Sequence, residues 1–166
     1  MSEPRRLRCY QYVNRPYAPV RDLLRREPLE LLKRATTSAA GRAGALAASL
    51  HVEIGGIEVG VDVRPHLHGI RESPGGDGQQ PVIRLEIGWE ASRTPALFPS
   101  MHLELSAWPL SSTDTQLEIA GEHRPPLGPV GKAIDAAIGH RIAEASVHHF
   151  LDDIVAQIGR DLREGT

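Results

Sequence analysis

A chain of 166 residues with 40% hydrophobic and 24% charged side chains has the size and composition of one globular domain with one core. A formal net charge of −2 excludes a general attraction to nucleic acid, and no apolar stretch approaches the ~20 residues of a membrane-spanning helix. The single cysteine, Cys9, excludes an internal disulfide and suits a reducing compartment.

The opening Met-Ser-Glu-Pro-Arg-Arg has no apolar run behind it, so no signal peptide is expected and the protein is placed in the cytoplasm. Arg5, Arg6 and Arg8, with Arg21, Arg25 and Arg26, make a local basic cluster, read as a solvated face. Residues 7–14 have the β-favouring composition of a first strand. Either Leu7, Cys9 and Val13 or Tyr10 and Tyr12 turn inward there. Two short helices meeting at a proline corner are predicted between 17 and 37. Val20, Leu23 and Leu24 stripe the first, and Pro28 opens a second that carries Leu29, Leu31 and Leu32.

Apolar and polar residues then alternate with period two in 45–54, 57–68, 82–91, 101–108 and 115–123. One apolar and one polar face is the pattern of an antiparallel sheet covered on one side. Ile54-Gly55-Gly56-Ile57 predicts a two-residue turn that sets Val52 opposite Val59 and Leu50 opposite Val61, with the apolar residues on one face. Residues 74–78 are a loop tip. The odd-numbered residues of 57–67, 83–91 and 101–107 are expected to face a C-terminal helix.

That helix is predicted from 129 to 162, but its apolar stripe changes direction. Val130, Ile134, Ile138, Ile142 and Ala145 share one side; Val147, Phe150, Leu151, Ile154 and Ile158 lie nearly opposite. A break near Gly139 is expected, giving a short segment at 129–138 and a main helix at 140–162. The short segment would act as a gate beside a cavity or as the contact face of a homodimer.

Chemical motifs are scarce. His66-x-His68 places two imidazoles on one strand face, but His102 is expected away from His66, and no metal site is predicted. His148 and His149 fall on the polar side of the helix. Glu86, Glu90, Glu104, Glu118 and Glu122 occupy outward positions, where charges keep a sheet soluble. A nucleophile elbow, a phosphate-binding glycine loop and a CxxC pair are all missing, so no catalytic residue and no cofactor is assigned. The predicted inner face is nearly all hydrocarbon; Gln11, Tyr10 or Tyr12 from the first strand, or Arg141 or Asp135 from the helix region, could supply an inward acid, base or donor.

Asn14-Arg15-Pro16-Tyr17-Ala18-Pro19-Val20 looks like a strand-to-helix passage, and Arg124-Pro125-Pro126-Leu127-Gly128-Pro129-Val130-Gly131 leads through to Ala143-Glu144-Ala145. With the order of elements, these stretches resemble the START-like (SRPBCC) superfamily of birch-pollen-allergen-like proteins, polyketide cyclases/aromatases and START domains. The resemblance implies a single α+β helix-grip domain over 1–166: a curved antiparallel sheet wrapped around a long C-terminal helix, with two short helices after the first strand. Where the full pattern has six strands after those helices, only five are clear here.

It also implies a binding or carrier protein for a hydrophobic small molecule or lipid, held between sheet and helix. The residues placed against that ligand are Val61, Val63, Leu85, Ile87, Trp89, Met101, Leu103, Ile138 and Phe150. The alternatives are a polyketide cyclase/aromatase-like enzyme, or a dimerising interaction domain without ligand.

Overall fold

A computed structural model of the protein describes residues 5–36, 63–91, 100–124 and 136–164. Its strands are β1 (Arg5–Val13), β2 (Val63–Ser73), β3 (Val82–Ala91), β4 (Ser100–Pro109) and β5 (Thr115–Arg124). Helix α1 covers Tyr17–Arg26, α2 covers residues 28–36, and α3 covers Ala136–Glu164. The strands form one antiparallel sheet in the order β1-β5-β4-β3-β2 among the described residues. With α3 packed across it, this is the α+β helix-grip fold.

The binary pattern explains which face is covered. Ile83, Leu85, Ile87 and Trp89 of β3, Met101, Leu103, Leu105 and Ala107 of β4, and Leu117 and Ile119 of β5 are all buried. On β1 the choice falls to Leu7, Cys9 and Val13, which are buried, while Tyr10 and Tyr12 are 69% and 57% exposed. The two tyrosines keep their hydroxyls in water, and the smaller apolar groups fill the core at no hydrogen-bonding cost.

Two turns close the sheet. Between β4 and β5 the Asp114 carboxylate accepts hydrogen bonds from the Ser111 and Thr113 hydroxyls at 2.7 and 2.8 Å. These donors hold the Asp114 carboxyl below its ordinary range. Between β2 and β3, Gly75, Gly76, Asp77 and Gly78 all have positive φ. Gly75 also lies so close to the returning chain that a Cβ would sit 2.7 Å from the Pro81 nitrogen.

Strand β2 departs from the expected period. It continues beyond residue 68 to Ser73, and its pairing with β3 shifts between Leu67 and Gly69. The extra residue of this bulge, His68, reverses the alternation, so that Leu67 and Ile70 both pack against the core. After the bulge, Glu72 accepts a hydrogen bond from Arg25 Nε at 2.6 Å and a second from the same guanidinium, joining α1 to β2.

The helices bury most of what their stripes predict among the described residues, although Leu29 of α2 is exposed. Val20, Leu23 and Leu24 of α1 and Leu31, Leu32, Ala35 and Thr36 of α2 are buried, and so are Val147, Phe150, Leu151, Ile154 and Ile158 of α3. The expected break at Gly139 is absent: α3 runs unbroken from Ala136 to Glu164. One glycine inside a long helix costs only ~1 kcal/mol relative to alanine, too little to stop it without a proline or a competing cap. No helix among the described residues is long and apolar enough to cross a membrane.

Several expectations lie outside the described residues: the strand 45–54, the Gly55-Gly56 turn, Val61, Asp135 and the segment 129–135. The side chains of 136–143, including Ile138, Arg141 and Ile142, lie outside them as well.

Candidate functional site

Sheet register assembles the inner face row by row. Leu85 stands opposite Leu105, Ile87 opposite Leu103, and Trp89 opposite Met101. From the other side, α3 brings Phe150 against Trp89, with ring centroids 4.5 Å apart in an edge-on arrangement. Leu85, Ile87, Trp89, Met101, Leu103 and Phe150 are thus held on one apolar surface between sheet and helix. Val63 lies on β2 opposite Ala91, at the same end of the sheet as Trp89.

That surface is not uniformly closed. Leu85, Leu105, Leu117 and Phe150 have no exposure, whereas Trp89, Met101 and Leu103 retain 6%, 5% and 4%. Leu7, across Gly121 from Leu103, retains 5%. Cys9 and Val13 of β1 retain 4% and 5% as well, so residual accessibility is shared between that part of β1 and the Trp89 end. There the Trp89 indole Nε1 is buried and has no hydrogen-bond partner among the described residues. A buried donor left unmet costs about 1–3 kcal/mol, and buried indoles usually find an acceptor. Sequence patterning placed Trp89 inward but treated it as hydrocarbon; the signal available was the donor on an otherwise apolar face.

The buried face holds little else that is polar. Among the described residues, the buried polar side chains are Thr36, Ser106 and Thr115, and none is an acid, an imidazole or an amine. The Thr115 hydroxyl donates to the Arg15 carbonyl at 2.8 Å. Burial, reinforced by Asp152, pushes the Cys9 thiol up to about 11, so it stays protonated and non-nucleophilic at neutral pH. Tyr10 and Tyr12, considered as inward donors, face outward. Gln11 donates its Nε2 to Asp152 of α3 at 2.9 Å, at the seam between β1 and the helix.

The outer face holds the charges. Glu86 and Glu104 both pair with Arg71, at 2.7 and 3.0 Å, and Glu118 pairs with Arg8 at 2.9 Å. The expected separation of His102 from His66 is incorrect. Both stand opposite Gly88, on its two sides, because β3 meets β2 and β4 in the same cross-strand row. The bulge sets His68 over that glycine, where a Cβ would meet its Nε2 at 2.5 Å, and its ring lies 6.1 Å from that of His102. No group of three or more metal-ligating side chains converges among the described residues. An open cleft of about 380 Å³, lined by Ser73, Gln79, Gln80, Val82, Arg84 and Trp108, contains none of the residues placed against a ligand.

No protein-family model and no curated protein matches the sequence. Solved structures do match over nearly the whole chain. A conserved protein from Geobacillus kaustophilus aligns with 94% of this chain and 96% of its own, at 12% identity and a TM-score of 0.52. The shared fold is what that likeness shows. Other matches are an aromatase/cyclase from Streptomyces sp. R1128 (12% identity, 96% of each chain, TM-score 0.38) and a START superfamily protein from Mycobacterium smegmatis (10% identity, 93% of this chain and 97% of that one, TM-score 0.39).

Proposed function

We propose that this protein binds and carries a hydrophobic small molecule or lipid between its sheet and its C-terminal helix, as one domain spanning 1–166 in the cytoplasm. The ligand-contacting set is Val61, Val63, Leu85, Ile87, Trp89, Met101, Leu103, Ile138 and Phe150. The observation that carries the reading is the apolar inner face between sheet and helix, with an unmet buried donor at Trp89 beside Met101 and Leu103.

Carriage without chemistry is favoured over a cyclase/aromatase-like activity by the buried inventory. Acid–base catalysis needs a group within reach that gives or takes a proton near neutral pH. The buried residues described offer hydroxyls, an indole and a thiol held protonated.

Native mass spectrometry of protein purified from its own host tests the proposal. A mass excess that disappears on denaturation is expected, and its value identifies the ligand class. A bare chain mass in every preparation, together with no uptake of added apolar compounds, would leave the ligand-free interaction domain as the better account.

A further inference from the structure

We propose that Trp89 is the polar anchor of this site: the ligand presents a neutral oxygen acceptor, of the ketone, quinone, ester or lactone kind, to the Trp89 indole N–H. The inference rests on the binding function proposed above and specifies what is bound.

Trp89 is 94% buried by the complement of its 6% exposure, and its Nε1 has no acceptor among the described residues. Its cross-strand neighbours are Pro65 and Met101, and its ring contacts Phe150. None of these side chains carries an oxygen. A trapped water is a poor substitute, because a buried water needs two to four polar partners and these neighbours supply only the indole. The acceptor therefore comes with the ligand. A solitary N–H on an apolar wall is also the simplest device for orienting a ligand that is otherwise held by shape alone.

Neutrality follows from what else is buried. A carboxylate or phosphate at this position would be desolvated against one N–H, with no buried cation among the described side chains to pair with. Among the described residues no arginine, lysine or histidine is buried. Arg71 and Arg84, farther along the sheet, lie on the other face, engaged with Glu86 and Glu104. A free fatty acid would consequently not bind with its head group at Trp89.

Three probes of matched shape separate the outcomes: 2-acetylnaphthalene, 2-isopropenylnaphthalene and 2-naphthoate. Wild-type protein should bind the ketone about tenfold more tightly than the alkene, the worth of one ~1.4 kcal/mol hydrogen bond, with the acid no tighter than the alkene. Trp89→Phe should bring the ketone-to-alkene ratio to about one, whatever the loss of indole contact does to the alkene affinity itself. Trp108→Phe, on the opposite face, leaves Trp89 as the sole indole. In ¹H–¹⁵N spectra of that variant, the Trp89 N–H should move downfield with the ketone and not with the alkene, a readout independent of whether Trp89→Phe folds. Equal binding of ketone and alkene, tightest binding of the acid, or an unmoved indole resonance with bound ketone would each overturn the anchor while leaving the carrier function standing. Failure of all three probes to bind the wild type overturns the site, and the anchor with it.

Discussion

Two glycines on neighbouring strands illustrate how differently the same substitution acts. A Cβ at Gly121 would strike the His102 carbonyl oxygen and lie 2.8 Å from Leu103 Cα, and backbone cannot step aside. Gly121→Ala should therefore cost about 1–3 kcal/mol in chemical denaturation, because β4 and β5 would have to separate. At Gly88 the obstacle is the free end of the exposed His68 ring, which can rotate away. Gly88→Ala should stay within about 0.5 kcal/mol of wild type and show itself only as a shifted His68 resonance. Equal losses at the two positions would contradict this account of the strand contacts.

Arg25 and Glu72 supply a pH dependence at the same scale. The guanidinium holds the Glu72 carboxyl below its ordinary 4.5, chiefly through the hydrogen bonds it donates. The folded value is depressed, so the pair's contribution is fully present above about pH 4.5 and is lost as pH falls through the lowered folded value. Denaturation of wild type and Glu72→Gln should show a gap at pH 7 that closes toward pH 3. A gap of the same size at both pH values would mean that the pair does not link α1 to β2. The pair lies at the surface, so the effect is small and weakens with salt.

At the scale of elements, α3 is continuous where its stripe suggested a break, and it carries a second glycine that can be improved. Gly159 lies inside the helix with open space where a Cβ would stand. Gly159→Ala should stabilise by about 0.5–1 kcal/mol, since alanine loses less backbone entropy and meets no neighbour. For a domain of this size a Tm increase of roughly 1–4 °C in thermal melts is expected. A decrease would show that the outer side of α3 is covered by something a methyl group disturbs. The β2 bulge is the other element-scale device. By adding His68 it allows Leu67 and Ile70 to reach the core from either side of the irregularity, and it sets Glu72 where Arg25 can hold it.

At the scale of the molecule, α1, α2, all the described strands other than β2, and α3 contribute to one continuous cluster of buried apolar residues, and Leu67 and Ile70 of β2 pack against it. One core implies one cooperative transition. Near-UV circular dichroism, dominated by Trp89 against Phe150, and far-UV circular dichroism, dominated by α3, should report coincident denaturation curves. An earlier loss of the near-UV signal would show that the Trp89 end opens before the rest, as an access route for ligand would require.

Much of this architecture was legible in the residues. Period-two alternation is a local property, so it marked β3, β4 and β5 and chose their buried side correctly, down to Trp89, Met101 and Leu103. Pro28 and the spacing of Val20, Leu23 and Leu24 were sufficient for the two short helices. What depended on non-local partners was decided only in three dimensions. The facing of β1 required knowing that β5 lies beside it, since Leu7, Cys9 and Val13 and the tyrosines are equally compatible with a strand. The His68 bulge and the approach of His102 to Gly88 arise from register between strands that no local pattern specifies. The unmet Trp89 donor is the clearest case. The sequence determined that an indole would face inward, but whether its N–H met an acceptor depended on the elements that pack around it, and the described neighbours Pro65, Met101 and Phe150 supply hydrocarbon and sulfur.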